Sequence, residues 1–188
     1  MKTSIFEKRV IKKLKNAKNK SVINLYINNE IDLYNKYSYL NNDINNNPII
    51  NNDIIDYLTG ETENISFKNS LLISIKTVNT IFLNSDIIEK LIKENIYKKL
   101  SIINRRIKRL NVYSVVLALI GMLLIGITQI SEFLTKEFPV REFIIVMSWV
   151  FMWKAVDIIF FEKTGILKSK RVLMKIYFSE ITLENAEN

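Results

Sequence analysis

From Leu110 to Ser131 the chain runs 22 residues without a charged side chain. As a helix rising about 1.5 Å per residue, that run covers a hydrocarbon core of roughly 30 Å. It is apolar on every side, whereas a helix at a protein–water boundary carries a polar face, so a membrane crossing is the first expectation. A second run, Phe143 to Phe161, is broken only by Lys154 and Asp157 and contains Trp149 and Trp153. Two helices in the core of a water-soluble protein are the competing reading, and it requires both runs to be buried.

The flanks orient such a hairpin. Arg105, Arg106, Lys108 and Arg109 precede the first run, and Lys163, Lys168, Lys170, Arg171 and Lys175 follow the second, whereas the connection from Ser131 to Glu142 balances Lys136 and Arg141 against Glu132, Glu137 and Glu142. The positive-inside rule then puts both termini in the cytoplasm of a multi-pass protein of the cell membrane, with the short loop outside. The opening residues have no signal-peptide pattern, which agrees with a cytoplasmic N-terminal part. The basic flanks Arg105, Arg106, Lys108, Arg109, Lys168, Lys170, Arg171 and Lys175 are expected at the surface of an anionic bilayer, the first partner the sequence implies.

Inside the second span, Lys154 and Asp157 form an i, i+3 pair, and each charge costs about 2.5–3.5 kcal/mol near a helix centre. Mutual pairing near the inner interface is one reading, with Tyr113 and Ser114 of the first span close to Asp157. A polar contact in an oligomer, a partner interface or an ion path is the other. Ser114, Ala118 and Gly121 place small side chains on one face of the first span, which permits close packing against the second helix or against another copy.

Outside the spans the chain is polar and rich in Asn and Lys. Residues 1–20 carry eight Lys and Arg against Glu7, residues 21–97 carry five against ten acids, and residues 98–109 carry six against none. The spacing of Ile5, Phe6, Val10, Ile11 and Leu14 predicts a basic amphipathic helix over 1–20 that packs on its domain or touches lipid, a partner or RNA. Val22–Ile27 and Leu71–Val78 read as strands, the latter paired with Ile65–Phe67 across a tight turn at Lys68 and Asn69. Glu30–Ser38 reads as a short helix, 41–52 as an Asn-rich loop, and a helix starts near Asn52 and ends at Gly60. Asn84, Ser85 and Asp86 offer caps for another helix, and no Gly or Pro interrupts the chain from there to Gly121, so one helix is expected to run through the basic collar into the first span.

The expected fold class is therefore a membrane protein: a small α+β, α/β-like N-terminal cytoplasmic domain (21–98) of two or three strands, then a collar and two-helix transmembrane hairpin (99–162, spans 110–131 and 143–161). An amphipathic C-terminal helix on the inner leaflet and an acidic tail, Glu180 to Glu187, that frays make up 163–188. A sheet so small has open edges, which invites a second copy or a cytoplasmic protein partner.

The chain has neither cysteine nor histidine. Thiol nucleophiles, zinc–thiolate sites and imidazole bases are thereby excluded, and with four glycines, none following a strand and opening a helix, a phosphate-cradling loop is excluded too. Acid pairs such as Glu30/Asp32 and Asp53/Asp56 lack metal-loop spacing. No catalytic, cofactor or metal residues are assigned, and a non-enzymatic interaction or sensing module is the leading expectation. An oligomeric effector or small ion channel using Lys154 and Asp157 comes next. Nucleic-acid binding through residues 1–20 is the weaker alternative, because Phe6 is the only interleaved aromatic and the adjoining domain is acidic.

The abundance of Ile, Asn, Lys and Tyr points to an AT-rich coding genome. Trp149, Trp153, Asp157, Phe161 and Glu162, set in a two-span layout, resemble small two-span membrane proteins of low-GC Gram-positive bacteria. That resemblance implies an architecture and a bacterial origin and carries no site residues.

Overall fold

A computed structural model describes residues 5–15, 19–27, 30–35, 50–77, 85–130 and 138–185. The expected Asn-rich loop up to residue 49, residues 131–137 of the expected connection between the apolar runs and residues 36–38 of the expected short helix lie outside them. The described elements are α1 (Ile5–Lys15), β1 (Asn19–Ile27), a 3-10 turn (Glu30–Leu33), α2 (Asn52–Asn64), β2 (Asn69–Thr77), α3 (Ser85–Ile130), α4 (Phe138–Asp157), a π-helical turn (Ile158–Glu162), α5 (Lys163–Tyr177) and β3 (Glu180–Asn185). They form two compact units, one of 1–101 with 170–188 and one of 102–169. The first unit is thus assembled from both ends of the chain, which corrects the expectation of a purely N-terminal domain.

Its centre is a three-stranded sheet in the order β1-β2-β3, parallel throughout. Two sequence expectations fail here. Ile65–Phe67 is not a strand paired with β2: Ile65 caps the end of α2, and Ser66–Asn69 is a hydrogen-bonded turn into β2. A helix lies between β1 and β2, so the connection is a crossover and the strands run parallel, where a hairpin would have made them antiparallel. The acidic tail, moreover, is not frayed. Glu180–Asn185 pairs with Leu72–Thr77, because the alternation of Ile181 and Leu183 with Glu180, Thr182 and Glu184 supplies an apolar row for the inner face.

Alternation along the strands separates two faces. Ile23, Leu25, Ile27, Leu71, Ile73, Ile75 and Thr77 are buried on one, with Ile181 and Leu183 in register beside them. Right-handed crossovers that step in one direction across a sheet put their helices on the same face. The inner stripes of those helices are buried too: Ile54, Ile55 and Leu58 on α2, Ile88, Leu91, Ile92 and Ile96 on the first turns of α3, and Val172, Leu173, Met174 and Ile176 on α5. On the opposite face Val22 and Tyr26 remain 51% and 67% exposed.

Local chemistry explains the element ends. The Asn51 side chain accepts from the Asp53 N–H at 3.1 Å and starts α2, with Asp53 in the first turn where the helix dipole favours an anion. On α1, Glu7 and Val10 are buried while Lys8, Arg9, Lys12 and Lys13 are exposed. Glu7 meets Lys170 of α5 at 2.9 Å, with side-chain exposures of 11% and 6%. Phe6 packs under Lys170 and Arg171, whose charged groups lie 5.5 and 5.3 Å from its ring centre.

Lys175 is buried as well, donating to the Ser66 carbonyl at 3.0 Å with its ammonium 5.7 Å from the Phe67 ring centre. Burial pulls its pKa below the usual lysine value. The unfolded chain then holds that proton more readily than the folded one, so stability rises with pH from the folded pKa up to the unfolded value of about 10.4. Lys175→Met is expected to flatten this alkaline rise in pH-dependent unfolding. An unchanged slope would assign the rise to another group.

The second unit contains the greater part of α3, all of α4, the π turn and the start of α5. As the sequence predicts, α3 is one continuous helix from Ser85 to Ile130. Two helices are long and apolar enough to cross a membrane. Their apolar side chains are mostly not buried: Leu119, Leu123, Trp149, Trp153, Phe160 and Phe161 are all more than half exposed. Core helices of a water-soluble protein would bury these groups.

Candidate functional site

The hairpin closes on small side chains. Ser114 is buried, Leu117, Ala155 and Ile158 form a buried cluster, and Leu110, Ala118 and Phe151 pack against it. A β-carbon placed on Gly121 would lie 2.9 Å from Met152 Cγ and 3.2 Å from the Ser148 carbonyl oxygen. Ser114, Ala118 and Gly121 thus sit where α3 meets α4 within one chain, and their small size admits the partner backbone. Gly126 has open space around it. Gly121→Val is therefore expected to weaken the hairpin by about 1–3 kcal/mol, with Gly126→Ala silent. Thermal unfolding in detergent compares the two, and equal effects would refute this packing.

Within these apolar helices the hydroxyls satisfy themselves against the preceding turn. Ser114 donates to the Asn111 carbonyl at 3.0 Å, Thr128 to Ile125 at 2.7 Å and Ser148 to Ile145 at 2.6 Å.

Lys154 and Asp157 do pair, at 2.7 Å, and the sequence reading missed a third member: Lys154 Nζ also reaches Glu162 at 2.9 Å. Eight residues along an ideal α-helix leave two side chains roughly 80° apart. The wider turn of Ile158–Glu162 removes that offset and brings Glu162 round to the lysine. Only the π geometry makes this contact, and a reading based on i, i+3 and i, i+4 spacing has no signal for it. The three side chains are 42–48% exposed, on the outside of the hairpin.

Depth along the hairpin follows from its packing. Gly121 lies opposite Ser148 and Met152, and Leu117 opposite Ala155 and Ile158, so Glu162 falls near the level of Arg109 at the end of the basic collar. Lys154 starts deeper and points its ammonium toward that level, the geometry by which long cationic side chains reach a polar boundary. One lysine and two carboxylates leave the cluster with one more negative than positive charge.

Of the basic residues expected at a membrane surface, Arg105, Arg106, Lys108, Arg109, Lys168 and Arg171 are exposed. Arg106, Lys108 and Arg109 line an open depression with Ile102, Leu110 and Tyr113. Lys170 and Lys175 are corrections: both are buried, one against Glu7 and the other against Ser66. From Val172 to Ile176 every side chain of α5 is buried, so this end of the helix is part of a protein core and not a strip with one face on lipid. Among the described residues no cluster of acids could hold a metal ion.

The fold and site define a class: a three-stranded parallel α/β unit with two membrane-length helices inserted between its second and third strands. No protein-family model, curated protein or solved structure matches the chain.

Proposed function

We propose that this is a two-span integral membrane protein with both termini in the cytoplasm, whose α/β unit is a non-enzymatic module that binds or senses a partner. One observation carries the reading: the hairpin is inserted between β2 and β3, which are neighbours in one sheet. Adjacent strands share one compartment, so the intervening chain must cross the bilayer an even number of times. Two apolar helices meet that requirement, and the basic residues beside their open ends favour the cytoplasmic side.

The cysteine-free sequence makes the test direct. Thr135→Cys, in the loop, is expected to react in intact cells with a membrane-impermeant maleimide, and Tyr97→Cys only after lysis. The reverse pattern would overturn the orientation, and a chain released from membranes by alkaline carbonate would overturn the insertion.

The exposed Lys154, Asp157 and Glu162 cluster favours a second reading, an oligomeric membrane effector in which these charges meet another copy. Liposomes whose ion permeability rises with the natural chain, and not with Lys154→Leu plus Asp157→Leu, would move the assignment there.

A further inference from the structure

Three cations of the basic collar stand unpaired. Ile102, Arg106, Arg109, Tyr113 and Val116 recur along α3 at steps of four, three, four and three residues, so they form one stripe that rises from the collar into the first apolar run. With Lys108, Leu110 and Val112 they line the open depression on this helix. Among the described residues, no carboxylate pairs with Arg106, Lys108 or Arg109, and none lines the depression. Glu162, which falls near the level of Arg109, is held by Lys154.

Beyond the cations the stripe turns apolar. Val112, Tyr113 and Val116 are exposed, and Leu119 and Leu123 continue the exposed surface along the span. A ligand that fits such a surface is anionic at one end and hydrocarbon at the other. Arg106 and Arg109 are one helical turn apart, and their planar guanidinium groups suit phosphate oxygens, with Lys108 adding a point charge on the flank. The Tyr113 phenol, at the boundary between the two halves, is a further donor. Three cations exceed the single charge of an ordinary anionic phospholipid, and a head group with two phosphates matches them more closely. An acidic peptide would satisfy the cations but not the apolar half, which lies at hydrocarbon depth in an inserted hairpin.

We infer that this face of α3 is a binding site for a phospholipid with two phosphates, of the cardiolipin type, whose head group sits among Arg106, Lys108 and Arg109 and whose acyl chains lie along Val112 and Val116. Clusters of Lys and Arg immediately beside a transmembrane helix recognise anionic head groups in this way. Such a site deepens the membrane reading proposed above and rests on the insertion of the hairpin. It does not depend on which side of the bilayer holds the termini.

The full chain in lipid-free detergent provides the test, with thermal unfolding followed as cardiolipin, phosphatidylglycerol or phosphatidylcholine is added at equal phosphate. Cardiolipin is expected to raise the midpoint saturably and at lower phosphate than phosphatidylglycerol, with phosphatidylcholine inert. Arg106→Gln plus Arg109→Gln, both at exposed positions and so tolerated by the fold, should raise the cardiolipin concentration required by roughly tenfold or more, since two charge-assisted contacts are lost. Lys163→Gln plus Lys168→Gln removes the same charge at the start of α5, outside the depression, and should leave that concentration unchanged. Equal responses to the two anionic lipids per phosphate, or equal losses in the two double variants, would reduce the collar to diffuse charge and overturn the site. Inorganic pyrophosphate or polyglutamate raising the midpoint as far as cardiolipin would overturn it too, in favour of a soluble anion or an acidic protein. Carbonate extraction of membranes carrying the chain scores insertion separately: a chain that resists carbonate and ignores cardiolipin loses the site and keeps the anchor, and a chain released by carbonate loses both.

Discussion

Glu7→Ala is expected to destabilise the α/β unit by about 3–5 kcal/mol, the range for removing one partner of a buried ion pair. Lys170, with its side chain 6% exposed, would lose the carboxylate 2.9 Å away. The Phe6 ring beneath it compensates only in part, because it is shared with Arg171. Removing both charges with apolar groups of similar volume, Glu7→Leu with Lys170→Met, should return to within about 1 kcal/mol of the natural chain, since two desolvated ions are replaced by two buried hydrocarbons. Thermal unfolding of the full chain in detergent reads both. A Glu7→Ala variant as stable as the natural chain would mean that α1 is not held on α5 by this pair.

Truncation after Ser179 is expected to cost about 3 kcal/mol or more. It removes Ile181 and Leu183 from the inner face, each worth about 1 kcal/mol at half burial, together with the backbone bonds of β3, which contribute net stability of the same order. It also turns β2 from a central strand into an open edge rich in Leu and Ile, a template for aggregation. A frayed acidic tail would be lost at no cost. Unfolding temperature and solubility of the truncated chain therefore decide between a tail and a strand, and an unchanged midpoint would exclude β3.

How much of this was legible depended on the range of the interaction. Both apolar runs, the long helix from Ser85 and the strands near Val22 and Leu71 follow from local periodicity, so the sequence carried them. The third strand carried a signal too, in the alternation of Glu180, Ile181, Thr182 and Leu183, but the acidity of the tail outweighed it. Strand direction depended on weighing the α2 helix between β1 and β2 above the short turn at Lys68. The burial of Lys170 and Lys175 was not legible, because a lysine beside apolar residues reads the same whether its neighbours face lipid or a core, and Glu7 lies at the far end of the chain. Lys154 and Asp157 were found by spacing, and Glu162 was missed because a π turn has no spacing rule to recognise.

The placement of β3 sets the timetable of synthesis. A ribosome delivers β1, α2 and β2 first, and they wait as a two-stranded sheet whose inner row, Ile73 and Ile75 included, lacks its last neighbour. The missing strand emerges only after both apolar helices have been made. If the two helices span a bilayer, as proposed, a nascent chain that leaves its second helix on the wrong side strands β3 there as well, and its sheet cannot close. On the proposed two-span reading, closure of the sheet and threading of the hairpin are one event: only a chain whose two helices return to the side they left can pair β3 with the open edge of β2.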